Sequence, residues 1–319
     1  MTTYIARRLV QVVIVLVIVT LLVFFVMRLL PGDPLVLYMS QGSDLQAMTP
    51  QALDSMRHEF GLDKPLIWQY FTWVKGVFKG DLGTSIYYHE NVTTLMFERF
   101  PVTLHLGLTA LVLSSVLGVL AGLLAAVRRG KWIDRVVTPL AYLGTTIPVF
   151  WLGILMIYAF GYKLEWLPIA GYISPFDNLW QSTQLAIMPV ICLSVFGLAV
   201  NARQMRSSML DVIRQDYIRT AWAKGLSEKR VILVHAIKNS LIPVITLMGM
   251  SVGVIFGGSV LVETVFAIPG VGRLLVSSIL GHDYVVVQSI TFVIAIIILL
   301  VNLIVDVSYG WFDPRIRYG

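Results

Sequence analysis

The sequence predicts an all-α integral membrane protein with six transmembrane helices. Three observations lead there. Charged residues make up 13% of the 319-residue chain and hydrophobic residues 57%, whereas soluble chains carry about 25% charged residues. Six apolar stretches reach, or nearly reach, the ~20 residues a helix needs to cross the hydrocarbon layer. The segments joining them carry Lys and Arg unevenly, as the two sides of a membrane require.

The first stretch, Leu9–Met27, follows Arg7 and Arg8 as the apolar part of a secretory signal would. It is too long for that, and Pro31-Gly32-Asp33-Pro34 follows it in place of a small-residue cleavage site. Residues 1–30 therefore read as a retained anchor helix. Residues 31–101 form an extracytoplasmic segment long enough to fold on the membrane surface. Within it Thr49 suits an N-cap and Pro50 the first helical position. Leu53, Met56 and Phe60 recur at helical spacing, and Gly61 ends the run. A second amphipathic run, Pro65–Lys79, places Leu66, Tyr70, Trp73 and Val77 on one face, with aromatic residues suited to the headgroup layer. Both a cap packed on the bundle and a docking surface fit this pattern.

Residues 102–319 form a five-helix core, with spans at Val102–Val127, Val136–Phe160, Leu185–Ala202, Leu241–Val262 and Val285–Val305. In the second span Ala110, Ser114, Gly118, Gly122 and Ala126 recur every fourth residue, and in the fifth Gly249, Gly253 and Gly257 do the same. Small residues let helix backbones approach closely, the main route to association in lipid. Tight packing within the subunit and a moving interface with a second subunit both follow from such stripes. Pro148, Pro189 and Pro243 each remove a backbone hydrogen bond and permit a kink.

Sixteen of the 24 basic residues fall at the chain ends, at 128–135 and at 203–240, and twelve of the 18 acids fall on the opposite side. The basic side is the cytoplasm, so both termini lie inside. The net charge of +6 reflects this asymmetry, not a nucleic-acid site. Ionisable residues are scarce in the apolar zone: Asp306 lies near the inner boundary, and Glu263 and His105 near the outer ends of their spans. Ion-coupled transporters place such groups near the midplane, which weighs against that mechanism. No phosphate loop, HExxH or GxSxG motif is present, so no catalytic residue is assigned. The single Cys192 reads as a core hydrophobe, and the five His lack a metal-ligand spacing, so no metal site is expected.

The cytoplasmic loop at 203–240 reads helix, turn, helix. Met205, Met209, Val212 and Ile213 give the first helix an apolar face, and Lys224-Gly225 stops it with Gly in the left-handed position. Ser227 suits an N-cap for a short second helix bearing Val231, Ile232 and His235. The pattern superficially matches a DNA-binding helix-turn-helix, but a loop pinned between two spans can hardly follow a groove of DNA. A basic lipid-facing surface and an element seated in a protein groove remain, the apolar content favouring the second.

The loop DYIRTAWAKGLSEKRVILVHAIKNSLIPVIT at Asp216–Thr246 resembles the EAA-type coupling loop of ABC importer permeases, and specifically the first of the two paired membrane subunits of the peptide/nickel family. The resemblance continues through LPGDP at Leu30–Pro34, FGLDKPL at Phe60–Leu66, KGDLGTSI at Lys79–Ile86 and IPVFWLGI at Ile147–Ile154. WLPIAGY at Trp166–Tyr172, VETVFAIPGVGRLL at Val262–Leu275 and DPRIR at Asp313–Arg317 extend it over the whole chain. Against the broad EAA pattern, Arg219, Thr220, His235 and Lys238 replace its Glu, first Ala, Ile and Pro, so only Ala221 and Gly225 carry over.

This resemblance implies a type I ABC importer permease fold in a bacterial or archaeal cell membrane. It implies a second homologous permease, two ATP-binding subunits that hold ATP and Mg, and an extracytoplasmic substrate-binding protein. Arg219, Ala221, Lys224, Gly225, Leu226, Ser227 and Glu228 would form the ATPase-coupling loop, and Glu263, Pro269, Gly270 and Gly272 an irregular outer gate. Family members serve dipeptides, longer peptides, glutathione, nickel complexes and some sugars; a di- or oligopeptide is the expected cargo. A secondary transporter acting alone and a non-transporting membrane anchor are the contrasting classes.

Overall fold

The computed structural model describes residues 2–29, 50–59 and 61–312. Thr49, Phe60 and the motifs at 30–34 and 313–317 lie outside the described residues, as do the side chains of Leu53, Met56 and Asp306.

All the regular elements described are helices: α1 (Thr2–Leu29), α2 (Pro50–Glu59), α3 (Leu66–Phe78), α4 (Val92–Val127), α5 (Trp132–Thr146), α6 (Val149–Lys163), α7 (Leu179–Ile213), α8 (Asp216–Ala223), α9 (Glu228–Val265), α10 (Val271–Leu280) and α11 (Tyr284–Phe312). Five of these, α1, α4, α7, α9 and α11, are long and apolar enough to span a membrane, and the bent pair α5–α6, apolar enough when taken together, brings the number to six if it crosses as one span.

Every span outruns its sequence-based limits. α4 begins at Val92, not Val102, because Pro101 sits inside a continuous helix and does not start one. Asn91 opens it, its Oδ1 accepting the Thr93 N–H at 2.8 Å. α7 starts at Leu179 behind Asn178, whose Oδ1 accepts the Gln181 N–H at 3.1 Å. Pro189 and Pro243 likewise lie within unbroken helices. Pro148 is the exception. A residue before proline is driven out of the helical region, and Ile147 and Pro148 are both extended, with ψ of 123° and 130°. The third span therefore breaks there and turns by 105° between α5 and α6.

The chain divides into two compact units, one comprising residues 104–268 and 300–319, the other 2–103 and 269–299. In the first, α7 packs against α5, α6 and α9. Its contact with α4 is made backbone to backbone. A Cβ on Gly118 would stand 2.7 Å from the Asn201 Cβ and 2.8 Å from the Leu198 carbonyl oxygen. One on Gly122 would collide with the Ala202 carbonyl oxygen and lie 2.8 Å from the Met205 Cβ. α7 reciprocates with Gly197, where a Cβ would lie 3.1 Å from the Ser114 hydroxyl. The stripe on the second span thus packs within the subunit. The stripe on the fifth grades outward: Gly249 is buried, Gly253 half-buried, and Gly257 exposed, where an added methyl group would meet no atom within 4 Å.

In the second unit Val92, Leu95 and Met96 of α4, Val271 and Leu274 of α10, and Val286 and Ile290 of α11 form one buried cluster. A carboxylate closes it. Asp283, fully buried, accepts hydrogen bonds from Ser85 Oγ at 2.5 Å, the Tyr87 N–H at 3.1 Å and the Val286 N–H at 3.3 Å. The KGDLGTSI segment is thereby fastened to the start of α11. In α2, Pro50 takes the first helical position, and Gly61, at φ +65°, ends the run by donating to the His58 carbonyl. On α3, Tyr70, Trp73 and Val77 are partly buried as expected, but Leu66 is exposed. Gln69 takes its place, accepting from Arg28 Nε at 3.0 Å.

Replacing Gly122 with Leu is expected to cost about 1–3 kcal/mol through overpacking, lowering the thermal-unfolding midpoint of the detergent-solubilised chain, while Gly257→Ala leaves it near the wild-type value. Equal midpoints for the two variants would refute the backbone contact.

Candidate coupling loop and outer turn

α7 runs to Ile213, and after an extended Gln215 the chain re-enters helix as α8. The break comes later than expected: Met205, Met209, Val212 and Ile213 belong to the end of α7, not to a separate loop helix. α8 ends as predicted. Gly225 has φ +80°, its N–H reaches the Trp222 carbonyl at 2.9 Å, and no atom lies within 4 Å of the place a Cβ would occupy. Glycine is needed there for its backbone conformation, not for space. Ser227 precedes α9 with extended backbone, but its hydroxyl makes no capping bond; its carbonyl accepts the Val231 N–H at 3.0 Å. The second loop helix is not a separate piece. It continues through a π-helical segment, Val231–Ala236, directly into the fifth span.

One apolar face of the loop is turned inward. Ile218, Ala221, Val231 and Ala236 form a buried cluster with Met205, Met209, Ala126 and Val244. Among the coupling residues expected from sequence, Ala221 is therefore interior and Leu226 half-buried, while Arg219, Lys224, Gly225, Ser227 and Glu228 are exposed. Arg219 contacts Asp216 at 3.4 Å in an exposed pair, an arrangement worth well under 1 kcal/mol. The exposed apolar surface of the region comes from Tyr217, Trp222, Leu233 and Val234, none of which the sequence singles out. An amphipathic pattern identifies two faces but not which one the subunit itself covers.

A second feature missed from sequence ties the base of this region together. Arg206 of α7 meets Asp134 of α5 through Nε to Oδ1 at 2.6 Å and Nη2 to Oδ2 at 3.0 Å. Thr138 Oγ1 and the Gly130 N–H also donate to Asp134, at 3.0 and 2.9 Å. The carboxylate is 9% exposed, so bidentate pairing and two further donors satisfy it where water cannot. The available signal was a lone acid within the basic run at 128–135.

At the other end of α9, Glu263 is buried and its carbonyl accepts the Ile268 N–H at 2.8 Å. Ala267 takes φ +52°, and the Phe266 carbonyl accepts the Gly171 N–H at 3.0 Å. A Cβ on Gly153 would lie 3.2 Å from the Phe266 ring. Tyr172 OH is 3.2 Å from His105 Nδ1. Burial raises the Tyr172 pKa above its ordinary value. Three motifs separated in sequence, at 147–154, 166–172 and 262–268, so meet around Phe266. Pro269 and Gly270 follow, Gly270 at the N-cap of α10, and Gly272 is a buried helical residue, not part of an irregular turn.

Residues 118–318 match the family of binding-protein-dependent transport system inner membrane components, and residues 1–107 match the N-terminal family of such membrane components. The chain belongs to this family. It is an ABC importer permease, a multi-pass inner membrane protein. It is 40% identical to the di/tripeptide transport system permease protein of Pseudomonas aeruginosa, covering all of this chain and 99% of the relative. It is likewise 40% identical to the glutathione transport system permease of Escherichia coli O6:H1, over the full length of both. With the dipeptide transport system permease of Escherichia coli K12 the identity is 37%, over all of this chain and 99% of that one. Among solved structures, an inward-facing crystal form of the MetNI methionine ABC transporter matches with a TM-score of 0.56 and 18% identity. It covers 69% of this chain and 96% of the other, and supports the type I importer permease fold. In the permease, the loop at 216–230 and the turn at 263–270 occupy opposite ends of α9.

Asp134→Asn should weaken the tie to Arg206 and lower stability by about 2 kcal/mol, the scale of a hydrogen bond to a charged group. The thermal-unfolding midpoint should fall, and the double variant Asp134→Asn/Arg206→Gln should lose less than the sum of the two single changes. Additive losses would show that the pair is not coupled.

Proposed function

We propose that the permease forms half of the translocation pathway of an ATP-driven importer of di- and oligopeptides, working with a second homologous permease, two ATP-binding subunits and an extracytoplasmic substrate-binding protein. ATP and Mg bind on the ATP-binding subunits, where hydrolysis takes place. The basic side is cytoplasmic and both termini lie there, as the uneven spread of Lys and Arg supports. The peptide assignment rests on full-length relatives whose names specify di/tripeptide, dipeptide and glutathione transport.

The observation that carries the coupling role is the two-sided character of α8. Its inner face, Ile218 and Ala221, is keyed into α4, α7 and α9, while Tyr217, Trp222 and Lys224 remain outside. A partner pressing on the outer face moves a packed body, since close-packed interiors transmit displacement and do not absorb it. Because α9 is unbroken from Glu228 to Val265, motion at the loop reaches the turn at 263–270 along a single helix. Coupling also requires contacts that differ between the ATP-bound and ATP-free states, and the exposed Trp222 and Lys224 are the side chains assigned to that change.

Placing a β-branched residue at Gly225 strains the left-handed turn by about 1–2 kcal/mol without a steric clash. Gly225→Val is expected to insert normally yet cut labelled-dipeptide uptake at least tenfold in proteoliposomes carrying the complete transporter, with ATP hydrolysis retained. Wild-type uptake in this variant would overturn the coupling role. Calorimetry of the cognate binding protein against a peptide panel tests the cargo: micromolar or tighter binding of di- or oligopeptides is expected. Selective binding of a nickel chelate or an oligosaccharide would overturn the peptide assignment while leaving the permease role intact.

A further inference from the structure

Beside the Asp134–Arg206 pair, α5 and α7, with Leu247 of α9, line an open cavity of about 500 Å³. Its polar wall consists of Thr138, Tyr142, Arg203, Gln204, Arg206 and Ser207, and no carboxylate lines it. The two arginines differ. Arg206 is neutralised by its bidentate contact with Asp134. Arg203 has no carboxylate partner among the described residues; its guanidinium carbon stands 4.7 Å from the centroid of the Tyr142 ring. Stacking on an aromatic face orients a guanidinium but leaves its in-plane N–H donors open. The cavity thus presents an oriented cation with spare donors, the Ser207 hydroxyl and the Gln204 amide. Such a set of donors is complementary to an anion with several acceptor oxygens.

The position of Arg203 narrows the choice. It is the first charged residue after the apolar stretch Leu185–Ala202, which puts it at the depth where hydrocarbon gives way to headgroups. On α5, Val136, Leu140 and Leu143 are exposed at helical spacing, each next in sequence to a residue of the cavity wall or one removed from it. They offer an apolar bed for an acyl chain. Basic pockets between spans on the cytoplasmic side suit anionic lipid headgroups. We propose that this cavity binds the phosphodiester headgroup of an anionic phospholipid, with Arg203 as the principal contact and Ser207 and Gln204 as supporting donors.

Native mass spectrometry of the full-length permease, titrated with phosphatidylglycerol and, as control, phosphatidylcholine, tests this; the lipid readout depends on neither cargo nor transport direction, and peptide uptake by the reconstituted transporter is measured alongside it. The wild type is expected to retain one phosphatidylglycerol in preference to phosphatidylcholine. Arg203→Gln should weaken that binding about tenfold, Arg203→Lys less, and Arg128→Gln not at all. Absence of a phosphatidylglycerol preference in the wild type, or equal retention by Arg203→Gln, overturns the proposal. So does unchanged lipid retention combined with a raised KM confined to peptides bearing a free C-terminal carboxylate, which would assign the cavity to cargo.

Discussion

The close approach of α4 and α7 is the constraint on which the larger unit depends. Where Gly118 and Gly122 face Leu198, Asn201 and Ala202, no side chain separates the two backbones. In lipid, where burying apolar surface between helices offers little driving force, such contact supplies dispersion energy that longer side chains would prevent. Gly144 of α5 repeats the arrangement on another side of α7, where a Cβ would lie 2.9 Å from the Ala199 Cβ. α7 is therefore held on several sides by small residues, with the Arg206–Asp134 pair fixing its azimuth towards the basic end.

A helix held this tightly also anchors the loop that follows it. Met205 and Met209 reach from α7 into the cluster that holds Ile218, Ala221 and Val231. The loop is consequently an extension of the bundle and not a flexible appendage. Its exposed side carries Tyr217, Trp222, Leu233 and Val234 among charged side chains. At the far end of α9 the same logic recurs: the turn after Glu263 is braced by Gly171 and Phe266, so an irregular backbone keeps its polar groups paired.

The second unit is organised differently. Beside its apolar cluster it holds one fully buried carboxyl group whose neighbours are hydroxyl and backbone donors. Asp283 collects a Ser hydroxyl and two amide N–H groups, so the segment at 82–88 and the first turn of α11 share one acceptor. A buried carboxylate is stable only when so supplied, which makes the clasp an all-or-none feature. Gly83, at φ +94° with Val285 beneath it, allows the close pass that the clasp needs.

Much of this was legible in the chain. Apolar run length located every span, Gly225 marked the stop of α8 at the correct residue, Pro50 and Gly61 bounded α2, and the second-span stripe marked a close contact. These are local quantities: length, φ preference and periodicity depend on neighbouring residues alone. Helix limits were less legible, since Pro101 read as the boundary of the second span while tertiary packing carries α4 through it. Asp134–Arg206, Asp283–Ser85 and the meeting of three motifs at Phe266 were invisible, because each joins residues far apart in sequence. By itself, then, the sequence determined an all-helical permease built on long apolar spans, with a glycine-terminated loop helix between two of them. The tertiary structure alone decided which face of that helix is internal, where the third span breaks and bends, and which buried charges find partners. Those outcomes depend on which surfaces meet, and a hydrogen bond or a methyl-sized gap between distant segments leaves no periodic trace along the chain.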